Sequence, residues 1–313
     1  MTLNARLLAG VLVLTLGACA TPPQTRALLD SPSRLLPEHI ELTEVPFFAQ
    51  EDFQCGPAAL AMSLSAAGMA TTSEVLTPEV YLPGRKGSLQ VEMLAASRRH
   101  GAVAYQLAPR LNDVLSEVAA GTPVVVLQNL ALSWYPVWHY AVVVGYDLER
   151  REILLRSGRE QRQVLTFATF ENTWARSEYW AMTATSPDRI PQTANADSYV
   201  AAIGALEKIG PPERAHTAYL AALQRWPKHL LAQIGAGNSA YIMKDISKAE
   251  TAFRLAVQDH PDSVAALNNL AQTLIDQKRY AEALPFARQA AALGGPMSGI
   301  AQGTLSEIEG KLR

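Results

Sequence analysis

Two residues of this 313-residue chain stand in contexts that suit acyl transfer. Cys55 follows Gln50-Glu51-Asp52-Phe53-Gln54 and opens Gly56-Pro57-Ala58-Ala59-Leu60. His139 opens Tyr140-Ala141-Val142-Val143-Val144-Gly145-Tyr146-Asp147. A thiol attacks a carbonyl as its thiolate; it needs a base for its proton and donors for the oxyanion that forms. The chain supplies candidates in the order donor, nucleophile, base: Gln50, Cys55, His139. Gln54 is a rival donor, but it directly precedes Cys55 and is expected to point away. An ordinary free cysteine is a buried, inert small hydrophobe; the neighbours of Cys55 argue for chemistry instead.

Those residues need elements to hold them. Gly56 and Pro57 suit a first helical turn, where the missing proline N–H would have no partner anyway. Ala58-Ala59-Leu60-Ala61-Met62-Ser63-Leu64 continues as a helix former. Cys55 is therefore expected at a helix N-terminus, where unsatisfied N–H groups lower a thiol pKa. Residues 140–146 read as a buried strand, β-branched, uncharged and ended by Gly and Asp. Between the motifs, residues 88–100 and 111–120 read as helices and 124–127 as a strand. His100 is expected to serve the C-terminal end of the first of these helices rather than as a base.

The two motifs resemble the C39-like branch of papain-fold cysteine peptidases, whose pattern is Q-x(5)-C-G-x-A followed by H-Y-x-V-V-x-G-Y-D. Gln50 is one residue closer to Cys55 than that family's commonest spacing. The resemblance spans residues 43–185 and implies an α+β papain-like domain with Cys55 as nucleophile, His139 as base and Gln50 in the oxyanion hole. It also implies an acid that orients the histidine, and there the chain departs from the family. Asp147 lies about 26 Å along the same strand at ~3.3 Å per residue, too far to orient His139. A hairpin turning at 148–150 pairs Ser157 with His139, and Ser157-Gly158 stands where the family has Asp. A hydroxyl fixes a tautomer but carries no charge. Three readings stay open: a dyad with Ser157 as neutral orienter, an orienter from elsewhere such as Asn129, or a weakened enzyme.

The N-terminus addresses location. Arg6 precedes an apolar run over residues 7–16, too short to span a bilayer as a permanent helix. The run ends in Leu16-Gly17-Ala18-Cys19, which resembles a bacterial lipobox. That resemblance implies removal of residues 1–18 as a signal peptide, lipidation of Cys19, and membrane attachment through the lipid. Ala20 after it implies sorting to the outer membrane, facing the periplasm. Residues 19–40 then read as a tether. The sequence holds two cysteines, so lipidation leaves Cys55 as the one thiol and excludes a disulfide or a cysteine-based metal site.

Beyond Pro187 and Pro191 the composition turns to Ala and Leu with a 34-residue period: Ala215, Ala249 and Ala283; Ala222, Ala256 and Ala290; Tyr219, Phe253 and Ala287; Pro227 and Pro261. This is the tetratricopeptide pattern, three repeats long, and it implies an all-α surface that grips a protein partner. Residues 41–187 and 197–313 are expected as two domains with separate cores. His216, His229 and His260 lack ligand spacing and read as surface residues. A net charge of −2 with 18% charged residues gives no basic footprint for nucleic acid, and no motif calls for a metal or cofactor. The reading is an envelope-anchored cysteine peptidase acting on a peptide or protein. The alternatives are an inactive scaffold working through its repeats and a cell-wall peptide amidase.

Overall fold

The structure is a computed structural model, and it describes residues 21–31, 35–50 and 54–313. Cys19 and the signal-like segment lie outside these residues. No helix among the described residues is long and apolar enough to cross a membrane.

The N-terminal half is an antiparallel sheet with helices on both faces. Its strands are β1 (His39–Glu41), β4 (Val103–Gln106), β5 (Val124–Asn129), β6 (Trp138–Asp147), β7 (Glu152–Ser157), β8 (Glu160–Thr166) and β9 (Ala181–Thr185), and a separate ribbon pairs β2 (Tyr81–Leu82) with β3 (Gly87–Ser88). The order is β4-β9-β5-β6-β7-β8, with β1 on the far end of β6. Strand β6 alternates sides. Tyr140, Val142 and Val144 join one core with helix α2 (Cys55–Ala66), followed by α3 (Ser73–Val80) and α4 (Gln90–Arg99). Ala141 and Val143 face the other core, shared with α5 (Leu111–Ala119) and α6 (Phe167–Ala175).

Helix α2 is apolar all round and buried from Gly56 to Leu64, the pattern of a helix enclosed by its domain. It fits only because Gly56 lacks a side chain: a Cβ there would lie 2.3 Å from Ser88 Oγ. Gly145 has a comparable reason, since a Cβ would meet the Ile40 carbonyl of β1 at 2.5 Å.

The stretch expected to be a tether contains a docked helix, α1 (Pro23–Asp30), with Thr25 and Leu28 buried. The backbone amides of Gln24 and Thr25 donate to the two carboxylate oxygens of Glu171 on α6, at 2.9 and 2.5 Å. Glu171 is fully buried, so those amides satisfy a group that would otherwise be costly to desolvate. The composition of residues 21–37 resembles a linker, but the carboxylate that holds it is remote in sequence.

The C-terminal half repeats with the predicted period. Helices α7 (Ala196–Glu207), α9 (Leu230–Ile242), α11 (Val264–Asp276) and α13 (Ser298–Leu312) alternate with α8 (Pro212–Arg225), α10 (Ile246–Asp259) and α12 (Tyr280–Leu293). Ala215, Ala249 and Ala283 are fully buried, as are Ala222, Ala256 and Ala290, so the period marks where helices cross. The histidines are not plain surface residues: His229 caps α9 by accepting from the Ala232 amide, and His216 meets Ser239 Oγ at 3.0 Å.

The expectation of separate cores fails. One buried cluster runs from Tyr105, Val114 and Leu115 of the sheet domain into Tyr199, Ile203, Leu206 and Tyr219 of the repeats. Tyr105 and Tyr199 pack with ring centroids 6.1 Å apart. The connecting segment is held too: buried Glu117 accepts from the Gln192 amide at 3.1 Å and the Thr193 amide at 2.7 Å.

Candidate active site

Cys55 is the first residue of α2; Gln54 is the residue before it, and its carbonyl accepts from the Ala58 amide at 3.2 Å. The thiol faces backbone amides of Tyr140, Gly56 and its own residue, which favour thiolate, but burial acts in the other direction and is the larger effect. The Cys55 thiol is therefore pushed up from its ordinary value of 9.0. This corrects the expectation drawn from the helix N-terminus: partial charge at a helix end is worth about 0.3–1 kcal/mol, and enclosure of the thiol outweighs it.

His139 enters β6 one residue before the amide that Cys55 meets. Its Nε2 lies 2.9 Å from Ser157 Oγ, and Nδ1 has no hydrogen-bond partner among the described residues. Burial lowers the imidazole below its ordinary 6.5. Both shifts favour the uncharged forms of the two groups, a thiol and an imidazole.

Ser157 reaches His139 by a different register from the simple hairpin. Asp147 pairs with Glu152, so the turn occupies 148–151, and Val144 is extra between Val143↔Leu155 and Gly145↔Leu154. The bulge makes Val142 the partner of Arg156, which sets Ser157 level with Ala141. The hydroxyl meets the imidazole along the diagonal of the ladder, within reach for neighbours two residues apart. Asn129 pairs with Trp138 rather than His139, and its Oδ1 accepts from the amides of Ala131 and Val137, both at 3.0 Å. It is committed to the loop after β5 and does not orient His139. Asp147 is also spent locally, accepting from the Arg150 amide at 2.8 Å.

Gln50 is buried, its amide donating to the Gly158 carbonyl at 3.0 Å and its Nε2 to the Tyr140 carbonyl at 3.5 Å. Thus Gln50 and Cys55 both meet the backbone of Tyr140, and Gln50 is also laced to the residue after Ser157. Gln50, Cys55, His139 and Ser157 converge on the start of β6, and Asp147 lies at its other end. His100 lies apart, capping α4 and meeting Glu79 Oε1 at 2.9 Å. Among the described residues no cluster of His, Cys, Asp or Glu could hold a metal ion.

Two further groups do the positioning, Arg156 outside any motif and Tyr140 inside the one that His139 opens. Arg156, buried, donates through Nη1 to the Gln161 carbonyl and through Nη2 to those of Thr43 and Val45 at 3.5 and 3.4 Å. It pins the segment that carries Gln50. Tyr140 donates its hydroxyl to the Ser88 carbonyl at 3.3 Å and packs edge-on against Trp180, fixing the peptide that Cys55 and Gln50 share. The burial of Arg156 beside a surface strand is the one sequence-level oddity: an arginine in an otherwise apolar run.

Comparison with known proteins bears on the two regions of the chain. Residues 42–182 match the Peptidase_C39 like family, and residues 205–258 and 235–297 match the tetratricopeptide repeat. No curated protein matches the chain. Among solved structures, a Bacillus anthracis protein described as a candidate C39-like peptidase is similar at 19% identity and a TM-score of 0.40, covering 48% of this chain and 98% of that one. YrrB, described as a TPR protein with an unusual peptide-binding site, is similar at 22% identity and a TM-score of 0.34, covering 36% of this chain and 58% of its own. Residues 42–182 thus form a C39-like peptidase family domain, and the helices that follow it are tetratricopeptide repeats.

Proposed function

We propose that the chain is a lipid-anchored cysteine peptidase of the cell envelope whose repeats hold a protein partner. The observation that carries the catalytic part is the contact of His139 Nε2 with Ser157 Oγ at 2.9 Å, on the residue next to the amide that Cys55 faces. With Nε2–H donating to the hydroxyl, Nδ1 keeps its lone pair for the thiol. Cys55 Sγ attacks a peptide carbonyl carbon while its proton passes to Nδ1. The carbonyl oxygen, now anionic, takes hydrogen bonds from the Cys55 amide and from Gln50 Nε2, whose long bond to the Tyr140 carbonyl is readily exchanged. The amine leaves with the proton from His139, giving a thioester. Water, deprotonated by His139, then releases the acid and restores the thiol.

The anchoring part rests on Leu16-Gly17-Ala18-Cys19 and the apolar run before it, with Cys19 carrying the lipid and Ala20 favouring the outer membrane. Purified full-length protein should cleave members of a fluorogenic peptide library, and Cys55→Ala or His139→Ala should abolish cleavage. Gln50→Ala should lower kcat by about 10²-fold, the usual effect of removing one oxyanion donor. Undiminished cleavage by Cys55→Ala would overturn the peptidase reading.

A second reading has its own support. A thiol pushed up and an imidazole pushed down, with no carboxylate at Ser157, suit a scaffold that keeps the fold and acts through its repeats. Failure of Cys55 to react with an electrophilic thiol probe at neutral and alkaline pH would favour it.

A further inference from the structure

The loop between β5 and β6 exposes apolar side chains beside the candidate active site. Trp134 is 80% exposed, Tyr135 70%, Leu132 53% and Trp138 51%. Isolated exposed apolar residues need no explanation, but such a cluster does. The loop is built to present them. Leu130 N donates to the Val137 carbonyl at 2.9 Å, Asn129 Oδ1 ties Ala131 to Val137, and Arg176 Nη1 donates to the carbonyls of Asn129 and Ala131 at 3.1 and 2.6 Å. A loop with that internal support does not collapse to hide its aromatics.

The second observation is where the N-terminal segment comes in. The sheet edge that carries this loop is formed by the end of β5, the start of β6, the start of β9 and the end of β4, since Val126 pairs with Ala181 and Gln106 with Met182. Gln24 in the first turn of α1 is fixed at that same edge, donating to the Pro109 carbonyl at 3.1 Å and accepting from the Leu111 amide at 2.5 Å. Gln106 at the end of β4 lies two strand spacings, about 10 Å, across from Val125 of β5, since both pair with Met182. Four residues of sequence lead from Cys19 to Pro23, a reach of at most about 14 Å. A lipid on Cys19 would therefore keep this edge within reach of the bilayer.

We infer that residues 130–138 dock into the membrane interface, so that the mouth of the candidate active site faces the lipid surface. The occupant is a phospholipid bilayer, because Gln24, five residues after Cys19, and the exposed aromatics lie on one edge, and Trp and Tyr suit the boundary between headgroups and acyl chains. This rests on the lipid anchor at Cys19 and makes the substrate a polypeptide presented at the membrane surface.

The test uses the full-length lipidated protein in proteoliposomes, in a Cys55→Ser background. An environment-sensitive fluorophore is attached to Tyr135→Cys or, for comparison, to Ile242→Cys on the exposed face of α9. Flotation with the vesicles reads the anchor, and quenching by nitroxide lipids reads the loop. The Tyr135 label should blue-shift and lose most of its emission to lipid nitroxides, and the Ile242 label should not. Flotation with equal quenching at both sites would overturn the docking and leave the anchor intact. Absence of flotation would overturn both. A loop that stays unquenched, while Trp134→Ala with Cys55 intact loses cleavage of a water-soluble peptide, would assign these aromatics to the substrate instead.

Discussion

Helices α2 and α9 are both enclosed by their neighbours, and both depend on glycines where another chain element comes close. In α2, Gly56 makes room for Ser88 and Met93; in α9, Gly235 and Gly237 make room for the rings of Tyr219 and Phe253. The neighbours of α2 differ at every turn, because a sheet, a ribbon and two other helices each supply one. The neighbours of α9 are the same structural position met one repeat earlier and one repeat later. A repeated contact appears in the sequence as a period, whereas a contact made once appears only as a local motif.

The largest test of that contrast is truncation. Removing residues 197–313 uncovers Tyr105, Leu115 and the rest of the shared core, each large apolar side chain costing about 1.5–3 kcal/mol to expose. The truncated protein should be insoluble or lack a cooperative melt by circular dichroism. Removing only residues 294–313 takes away α13 and should leave a soluble protein with a lower Tm. A truncated sheet domain that melts cooperatively would restore two independent cores.

Next come the glycines. Gly56→Ala and Gly237→Ala each place a Cβ well inside contact distance of a neighbour, 2.3 Å from Ser88 Oγ and 2.4 Å from the Phe253 ring. Overpacking of this kind costs about 1–3 kcal/mol, so both variants should shift the urea midpoint down. Only Gly56→Ala should also change the alkylation rate of Cys55, since it displaces the helix that bears the thiol. Equal thiol rates in both variants would mean that the two regions are mechanically one.

A smaller effect comes from protons. The folded His139 titrates below its ordinary 6.5, so under acid the unfolded chain takes up the proton first and stability falls as pH drops below that value. The folded Cys55 titrates above its ordinary 9.0, so stability also falls as pH rises through that value. His139→Gln should flatten the acid limb of a Tm-versus-pH curve, and Cys55→Ser the alkaline limb. The repeats bury neither group, so the C-terminal glycine variant should keep both limbs. In the parent, the midpoint for iodoacetamide reaction at Cys55 should lie above that of an ordinary thiol.

The smallest substitution is the most informative about chemistry. Ser157→Asp puts a charge on His139 Nε2, which raises the imidazole pKa and favours the thiolate–imidazolium pair. Cys55 should then alkylate faster near neutral pH, with Tm nearly unchanged. Ser157→Ala should slow cleavage by freeing the ring. If neither variant moves the alkylation profile, the 2.9 Å contact has no bearing on the thiol.

What was legible followed the kind of contact. Cys55 at a helix start and His139 at a strand start were readable because helix and strand signals are local, and the repeats because their crossings recur. The register was not, because a turn over 148–151 and an extra residue at Val144 together set Ser157 level with Ala141 instead of His139, and no composition signal marks either. The direction of the Cys55 shift was not, because burial depends on Tyr140 and its neighbours far along the chain. Helix α1 was hidden for the same reason: its partner is a carboxylate at Glu171, and proline and threonine in isolation look like linker. Asn129 was a fair candidate by position, but a loop that needs its own amides tied took it.

The docking of α7 on β4 also sets how the repeat stack breathes. In a stack where each unit touches only its neighbours, opening proceeds from an end. One end here is cemented to the sheet through Tyr199, Ile203 and Leu206. Fraying is therefore suppressed at that end. Amide exchange should run as a gradient, slowest in α7 and faster in the repeats away from the sheet. The repeat most ready to reshape itself around a partner is then the one farthest from the thiol.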